Sequence, residues 1–215
     1  MPDLTILLIR HAQSQGNLIG RFQGQTDTPL SKEGLSQAEQ LAGRLANRTI
    51  DAVYASDLER AHHTARIIAK RKGLPVHLHP GLREIDIGKW AGLTLEEITA
   101  HYADELEAWR QGDPNVRRGG GESYREAQER VVAAVEEIAA NNDAGSQIAV
   151  VSHGGSLRAL LAYVLGFPLS SLWRIQFANT SLSTIERYGP EWSVRQINDV
   201  CHLELAEQEN HSPGE

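Results

Sequence analysis

The chain has 215 residues, 40% hydrophobic and 23% charged, a balance ordinary for a soluble globular protein and sufficient for one α/β domain with a full core. Its formal net charge of −7 repels nucleic acid and anionic membrane at long range, and the single Cys201 excludes an internal disulfide or a cysteine-based zinc cluster. No apolar stretch approaches the ~20 residues of a membrane span, and no basic segment followed by a sustained apolar run suggests a secretory signal. The expectation is a cytoplasmic protein with neither nucleic acid nor membrane as partner. The acidic balance argues against polyanions only, because a few arginines in one cleft outweigh a distant acidic surface for a small anion.

In chain order, the apolar run at 4–9 ("LTILLI") predicts a strand that ends abruptly in Arg10 and His11. Residues 31–47 place Leu35, Ala38, Leu41, Ala42 and Leu45 three and four apart, the stripe of an amphipathic helix. A second strand is predicted at 52–54 and a helix at 58–72, with Ser56 and Glu59 at capping-box spacing. "PVHLHP" is a short extended run before Glu84. Thr94 with Glu97, and Ser123 with Glu126, open two further helices, the first stopped by Gly112 and Pro114. Another apolar strand, 147–151, is followed by His153, and a helix at 155–165 ends at Gly166 and Pro168. "TSLSTIERY" and "WSVRQI" predict a closing hairpin across Gly189 and Pro190.

Alternating strands and helices predict a single-domain α/β fold, a three-layer sandwich with a mostly parallel sheet and helices on both faces. The domain is expected to span 1–205, with a lid-like segment at about 84–121 and a polar, frayed tail at 206–215. There is no internal repeat and no low-complexity linker.

Ligands of such sheets bind beyond the carboxyl ends of the strands. Arg10, His11 and His153 stand at two of those ends, Arg60 in the helix after a third, and Glu84 beyond the fourth extended run. Together they suit a phosphoryl group. Two arginines chelate phosphate oxygens as lysine cannot, a neutral imidazole is a competent nucleophile, and a second histidine, if charged, can donate to the oxyanion. A carboxylic acid is needed to protonate the leaving alkoxide and then to deprotonate water. With arginines supplying the charge, no metal or other cofactor is required.

Each piece alone has a plainer reading. Arg60 fits a solvated helix face, Ser56 a simple cap, and His153 with Gly154 and Gly155 a turn whose glycines permit the bend. His62, His63, His77 and His79 invite a metal, but "HLH" on a strand puts two rings on one face with no third partner, so they read as structural. Gly119 to Gly121 read as a flexible loop; they follow no strand and make no dinucleotide fingerprint.

Taken together, "LIRHAQSQGN", "RFQGQTDTPLSKEGLSQA", "SDLERAHHTA", "LREIDIGKWAGLT", "GGGES" and "VVSHGGSLRALL" resemble, in order and over about residues 4–203, the histidine phosphatase superfamily, the phosphoglycerate-mutase-like group. The resemblance implies a parallel-rich sheet between helices, His11 as the phosphorylated nucleophile and Glu84 as proton donor. It implies Arg10, Arg60 and His153 as the phosphate pocket, Asn17 as a further phosphate contact, a hydroxyl at Ser14, and Gln23 in a loop that touches substrate. Ala12 departs from the glycine usual there, which is tolerated where φ stays negative. Mutases of the group carry a long insertion between the proton donor and the later "ES" element. Here one helix and a short loop are expected to join Glu84 to Glu122, which favours a phosphatase of small phosphorylated metabolites. A 2,3-bisphosphoglycerate-primed mutase is the alternative, since "SHGGSLR" is close to the mutase segment; a non-catalytic phospho-ligand domain would be expected to lack one of the five groups. The Gln23 loop, the turn at 85–90 and the helix around Tyr102 and Trp109 are expected to form the variable wall, with Trp173 in core packing. The sequence leaves the particular substrate, and a homodimer, open.

Overall fold

Six strands form one sheet in the order β3-β2-β4-β1-β5-β6, seen in a computed structural model that describes residues 1–203. They are β1 (Leu4–Arg10), β2 (Ala52–Ala55), β3 (Val76–Leu78), β4 (Ser146–Ser152), β5 (Leu182–Tyr188) and β6 (Glu191–Asp199). The first four are parallel to their neighbours, whereas β5 runs antiparallel to β1 and forms the expected hairpin with β6. The tail expected at 206–215 lies outside the described residues.

Side chains alternate across a strand, and β1 uses both faces. Leu4, Ile6 and Leu8 join Ile148 and Val150 in a core covered by α6 (Tyr124–Ala140) and α7 (Gly154–Leu165). Leu7 and Ile9 join Ala149 and Val151 under α2 (Lys32–Arg44) and α3 (Glu59–Lys72). The protein is therefore a three-layer α/β sandwich. A short α1 (Gln15–Leu18) follows β1. The stripe of α2 is one residue shorter than expected: Leu35 is exposed, and Gly34 is buried where a Cβ would sit 2.0 Å from the Gln13 carbonyl oxygen.

The segment from Glu84 to Glu122 differs from the single helix expected. It holds α4 (Leu95–His101) and α5 (Ala103–Arg110), broken at Tyr102, and two 3-10 turns at Gly88–Trp90 and Arg118–Gly120. The predicted Thr94–Glu97 and Ser123–Glu126 capping boxes both form. Ile87, Trp90, Ile98 and Leu106 give the segment its own apolar cluster, against which Phe22 and Trp109 pack. The triple glycine is not a loose loop. Gly119, at φ +57, lies where a Cβ would be 2.5 Å from the Lys89 nitrogen, and a Cβ on Gly88 would be 2.2 Å from the Gly119 oxygen. Backbone packs on backbone there, which only glycine permits. Trp173 is also unlike its expectation, being 65% exposed; it stands on the 3-10 segment Leu169–Arg174 outside the sheet's two cores.

Candidate active site

The site grows from the carboxyl ends of the parallel strands. In the register of β1 on β4, Arg10 lies opposite Ser152, so the next residues, His11 and His153, leave the sheet side by side. Their ring centroids are 5.0 Å apart. Arg60 enters in the first turn of α3, after β2. Glu84 follows β3 and the 3-10 turn Pro80–Leu82. Arg10, His11, Arg60 and Glu84 line a cavity of about 300 Å³ together with Asn17 and Gln23, and His153 lies fully buried behind His11.

Each imidazole has one nitrogen committed. His11 Nδ1 is 2.7 Å from the Ala12 carbonyl oxygen. A carbonyl only accepts, so Nδ1 carries the proton and Nε2 keeps its lone pair. Burial, then the charges of Arg60 and Arg10, push the His11 pKa well below the usual 6.5. His153 Nε2 is 2.8 Å from Ser56 Oγ, and its Nδ1 is buried without a partner. Ser56 Oγ also accepts from the Leu58 N–H at 3.3 Å. Burial first, then Arg60, His11 and Arg10, push the His153 pKa well below 6.5 as well. Burial thus works against the charged form through which this histidine was expected to donate.

Arg60 donates from both terminal nitrogens to the carbonyls of Thr26 and Gly24, each at 2.8 Å, and Arg10 donates to the Phe177 carbonyl. In both, Nε is buried and unpartnered. Six buried side-chain polar atoms lack a partner among the described residues, and four of them belong to Arg10, Arg60, His153 and Arg118. Such atoms cost about 1–3 kcal/mol each, a cost an anion in the cavity would offset. Burial also works against the Arg10 charge, with Glu84 opposing it.

Glu84 sits on the N-terminus of α7. Its Oε1 accepts the N–H of Ile85 at 2.9 Å and of Ser156 at 3.1 Å, and Oε2 accepts that of Gly155 at 3.1 Å. Helix N-termini favour such a carboxylate. Its strand-to-helix approach is stapled by the Ser152 and Ser156 hydroxyls, which donate to the Leu82 and Arg83 carbonyls at 2.8 and 2.6 Å. The glycine pair after His153 therefore has a different cause from the bend expected of it. A Cβ on Gly155 would sit 2.4 Å from Glu84 Oε1.

Ser14 and Asn17 form the capping box of α1. Asn17 Oδ1 accepts from the Ser14 N–H and Oγ, both at 3.0 Å, which turns its amide nitrogen free to donate in the cavity it lines. Ser14 is fully buried, its hydroxyl on Asn17 and Gln23 Oε1; it supports the loop and is not among the cavity-lining residues. Ala12 keeps a non-positive φ and gives its N–H to Thr64 Oγ1 at 3.1 Å, as its methyl group requires. Ser56 does not cap α3, whose N-cap is Leu58 without a side-chain bond. Sequence reasoning missed its bond to His153, along with Arg118, Tyr124 and Arg158 on the cavity wall; the only signal was Ser56's place just past β2. Among the described residues, no group of three or more His, Cys, Asp or Glu gathers to hold a metal, and no helix is long and apolar enough to cross a membrane.

A parallel-sheet edge that presents a neutral imidazole, unsatisfied cationic donors and one carboxylate is the layout of a phosphoryl-handling enzyme. Residues 6–200 match the model of the histidine phosphatase superfamily (branch 1). The chain is 35% identical over 198 residues to phosphoserine phosphatase 1 of Hydrogenobacter thermophilus (strain DSM 6534 / IAM 12695 / TK-6), covering 92% of this chain and 93% of that protein. It is 36% identical over 210 residues to a probable phosphoglycerate mutase, GpmB, of Enterobacter sp. (strain 638), covering 94% and 95%. The solved α-ribazole phosphatase of Shigella flexneri superposes with a TM-score of 0.83 at 30% identity over 91% of this chain and 96% of that one. The protein belongs to the histidine phosphatase superfamily, and its class is that of a histidine-type phosphoric monoester hydrolase.

Because His11 and His153 are held neutral when folded, the unfolded chain binds more protons than the native one once pH falls below their usual 6.5. Stability present above that pH is then lost. His202, pushed to about 4 by burial, acts in the same direction. In phosphate-free buffer the unfolding temperature is expected to fall between pH 7 and roughly pH 5, and to fall less in the His11→Gln/His153→Gln double variant. Identical slopes for both proteins would contradict the assignment.

Proposed function

We propose that the protein is a metal-independent phosphomonoesterase that hydrolyses small phosphorylated metabolites through a phosphohistidine on His11, with Glu84 as general acid and then base. The observation that carries this reading is the His11 tautomer: an Nδ1–H held by the Ala12 carbonyl, which leaves the Nε2 lone pair free on a ring that lines the cavity with Arg10 and Arg60. The phosphomonoester, bound as its monoanion, brings a proton to Glu84. Nε2 attacks phosphorus, the ester P–O bond breaks, and the leaving alkoxide takes that proton from Glu84. Glu84 then deprotonates a water that attacks the phosphohistidine, the P–N bond breaks, and inorganic phosphate leaves. Arg10, Arg60 and His153 hold the phosphoryl oxygens through both steps, with the Asn17 amide and the Gln23 loop at the rim. The arginines supply the charge a metal otherwise would. A reducing, cytoplasmic setting accompanies this reading, in keeping with a single cysteine.

The second reading, a bisphosphate-primed mutase, draws on the likeness to the probable phosphoglycerate mutase. Weighing toward hydrolysis are the phosphatases among its relatives and solved neighbours. Phosphate release from a panel of phosphomonoesters, with and without 2,3-bisphosphoglycerate and with chelator, separates the two. Primer-independent release that survives the chelator and is abolished in His11→Ala is expected. Primer-dependent interconversion of phosphoglycerates without net hydrolysis would make the protein a mutase instead.

A further expectation concerns Glu84. Gly155→Ala forces its carboxylate aside and is expected to lower kcat by about a hundredfold, the scale of a 1 Å misplacement. Gly154→Ala is the control, since a Cβ there makes an ordinary 3.5 Å contact with Arg10 Nε. Equal rates in the two variants would remove Glu84 from the proton path.

A further inference from the structure

We infer that the cavity carries a second anion position, built on Arg118, and that the substrate is a small phosphomonoester with a carboxylate on its body; this rests on the phosphatase reading above. Arg118 lines the same cavity as His11 and Glu84 and is only 7% exposed. Its guanidinium carbon stands 4.8 Å from the Tyr124 ring centroid and 5.8 Å from that of Trp109. Nη2 is buried without a partner, and no carboxylate among the described residues pairs with the group.

Several other partly buried arginines are held by carboxylates. Arg83 is held by Asp57 at 2.5 Å, Arg130 by Glu122 at 2.7 Å and Arg44 by Asp199 at 2.6 Å. Arg21 at the cavity rim is matched by Glu97 at 3.1 Å. On the cavity, Arg10, Arg60, Arg118 and Arg158 have no acidic partner among the described residues. The phosphoryl group takes Arg10 and Arg60, and Arg158 gives its Nε to the Ile175 carbonyl at 2.7 Å. That leaves Arg118 as the one whose guanidinium has no hydrogen bond among the described residues. Two aromatic faces stabilise a cation by roughly 0.5–2 kcal/mol each, yet offer nothing to its in-plane N–H groups. A planar carboxylate does.

The mounting is rigid. Arg118 opens the 3-10 turn whose next residue, Gly119, packs backbone to backbone on the turn at Gly88. Glu105, close by, gives its carboxylate to the Gly119 N–H at 2.7 Å rather than to the guanidinium. Size agrees as well. At about 30 Å³ per water-sized group, a cavity of about 300 Å³ suits a phosphate with a body of a few carbons.

The test uses pairs that differ in the carboxylate: O-phosphoserine against O-phosphoethanolamine, and 3-phosphoglycerate against glycerol 3-phosphate. In the wild-type protein kcat/KM is expected to favour the carboxylate-bearing member of each pair by about tenfold or more. Arg118→Met is expected to erase that preference, mainly through KM, and Arg118→Lys to retain part of it. No preference in the wild type, or an equal loss on both members of each pair in Arg118→Met, overturns the inference and makes Arg118 a wall residue only. Absence of any turnover would sink the phosphatase reading by itself. Calorimetric binding of 3-phosphoglycerate and glycerol 3-phosphate to the wild type and to Arg118→Met still decides the subsite. A loss confined to 3-phosphoglycerate supports it, and equal affinities overturn it.

Discussion

The parallel register of β1 on β4 is the constraint from which the site follows. With Arg10 opposite Ser152, two strands that are distant in sequence end at the same level, and the residues beyond them are both histidines. A slip of one residue would turn one imidazole to the opposite face of the sheet. The register is held by the apolar side chains of β1, which fill two cores at once, so the sheet's packing and the spacing of the two rings are one and the same property.

What those ends enclose is an excess of buried donors. Burial drives both imidazoles to their neutral forms, while the arginines keep their charge because a guanidinium does not deprotonate in a protein. The site therefore sets a neutral ring with a free lone pair beside the cations that attract the phosphoryl oxygens. Glu84 is kept apart from that cluster by the amino end of α7, which supplies two of its three backbone hydrogen bonds. The absence of a Cβ at Gly155 lets it approach so closely.

Much of this was legible in the sequence, for a physical reason. Strands that are buried on both faces read as continuous apolar runs, and their polar terminators, Arg10, His11 and His153, stand out against them. The capping boxes at Thr94 and Ser123 are local bonds and could be read locally. What escaped were residues whose partners are far along the chain. Ser56 had the spacing of a cap, but its hydroxyl answers to His153, 97 residues away. Arg118 was missed for another reason: no local pattern says that a helix and a 3-10 turn will fold Tyr124 and Trp109 around its guanidinium. The three glycines at 119–121 suggested freedom, where close backbone packing was the cause. Trp173 looked like core and is exposed, since hydrophobicity alone does not say which side of a 3-10 segment faces the sheet.

The central claim is that His11 Nε2 is the atom that takes the phosphoryl group. Its most direct test is rapid acid-free quenching of the enzyme with a radiolabelled phosphomonoester under single-turnover conditions, followed by peptide mapping and phosphorus NMR of the trapped protein. The account predicts an acid-labile phosphoramidate on His11, bonded through Nε2, that forms and decays within the turnover. Phosphate on His153 or on His11 Nδ1, or turnover with no protein-bound phosphate at any time, would contradict it.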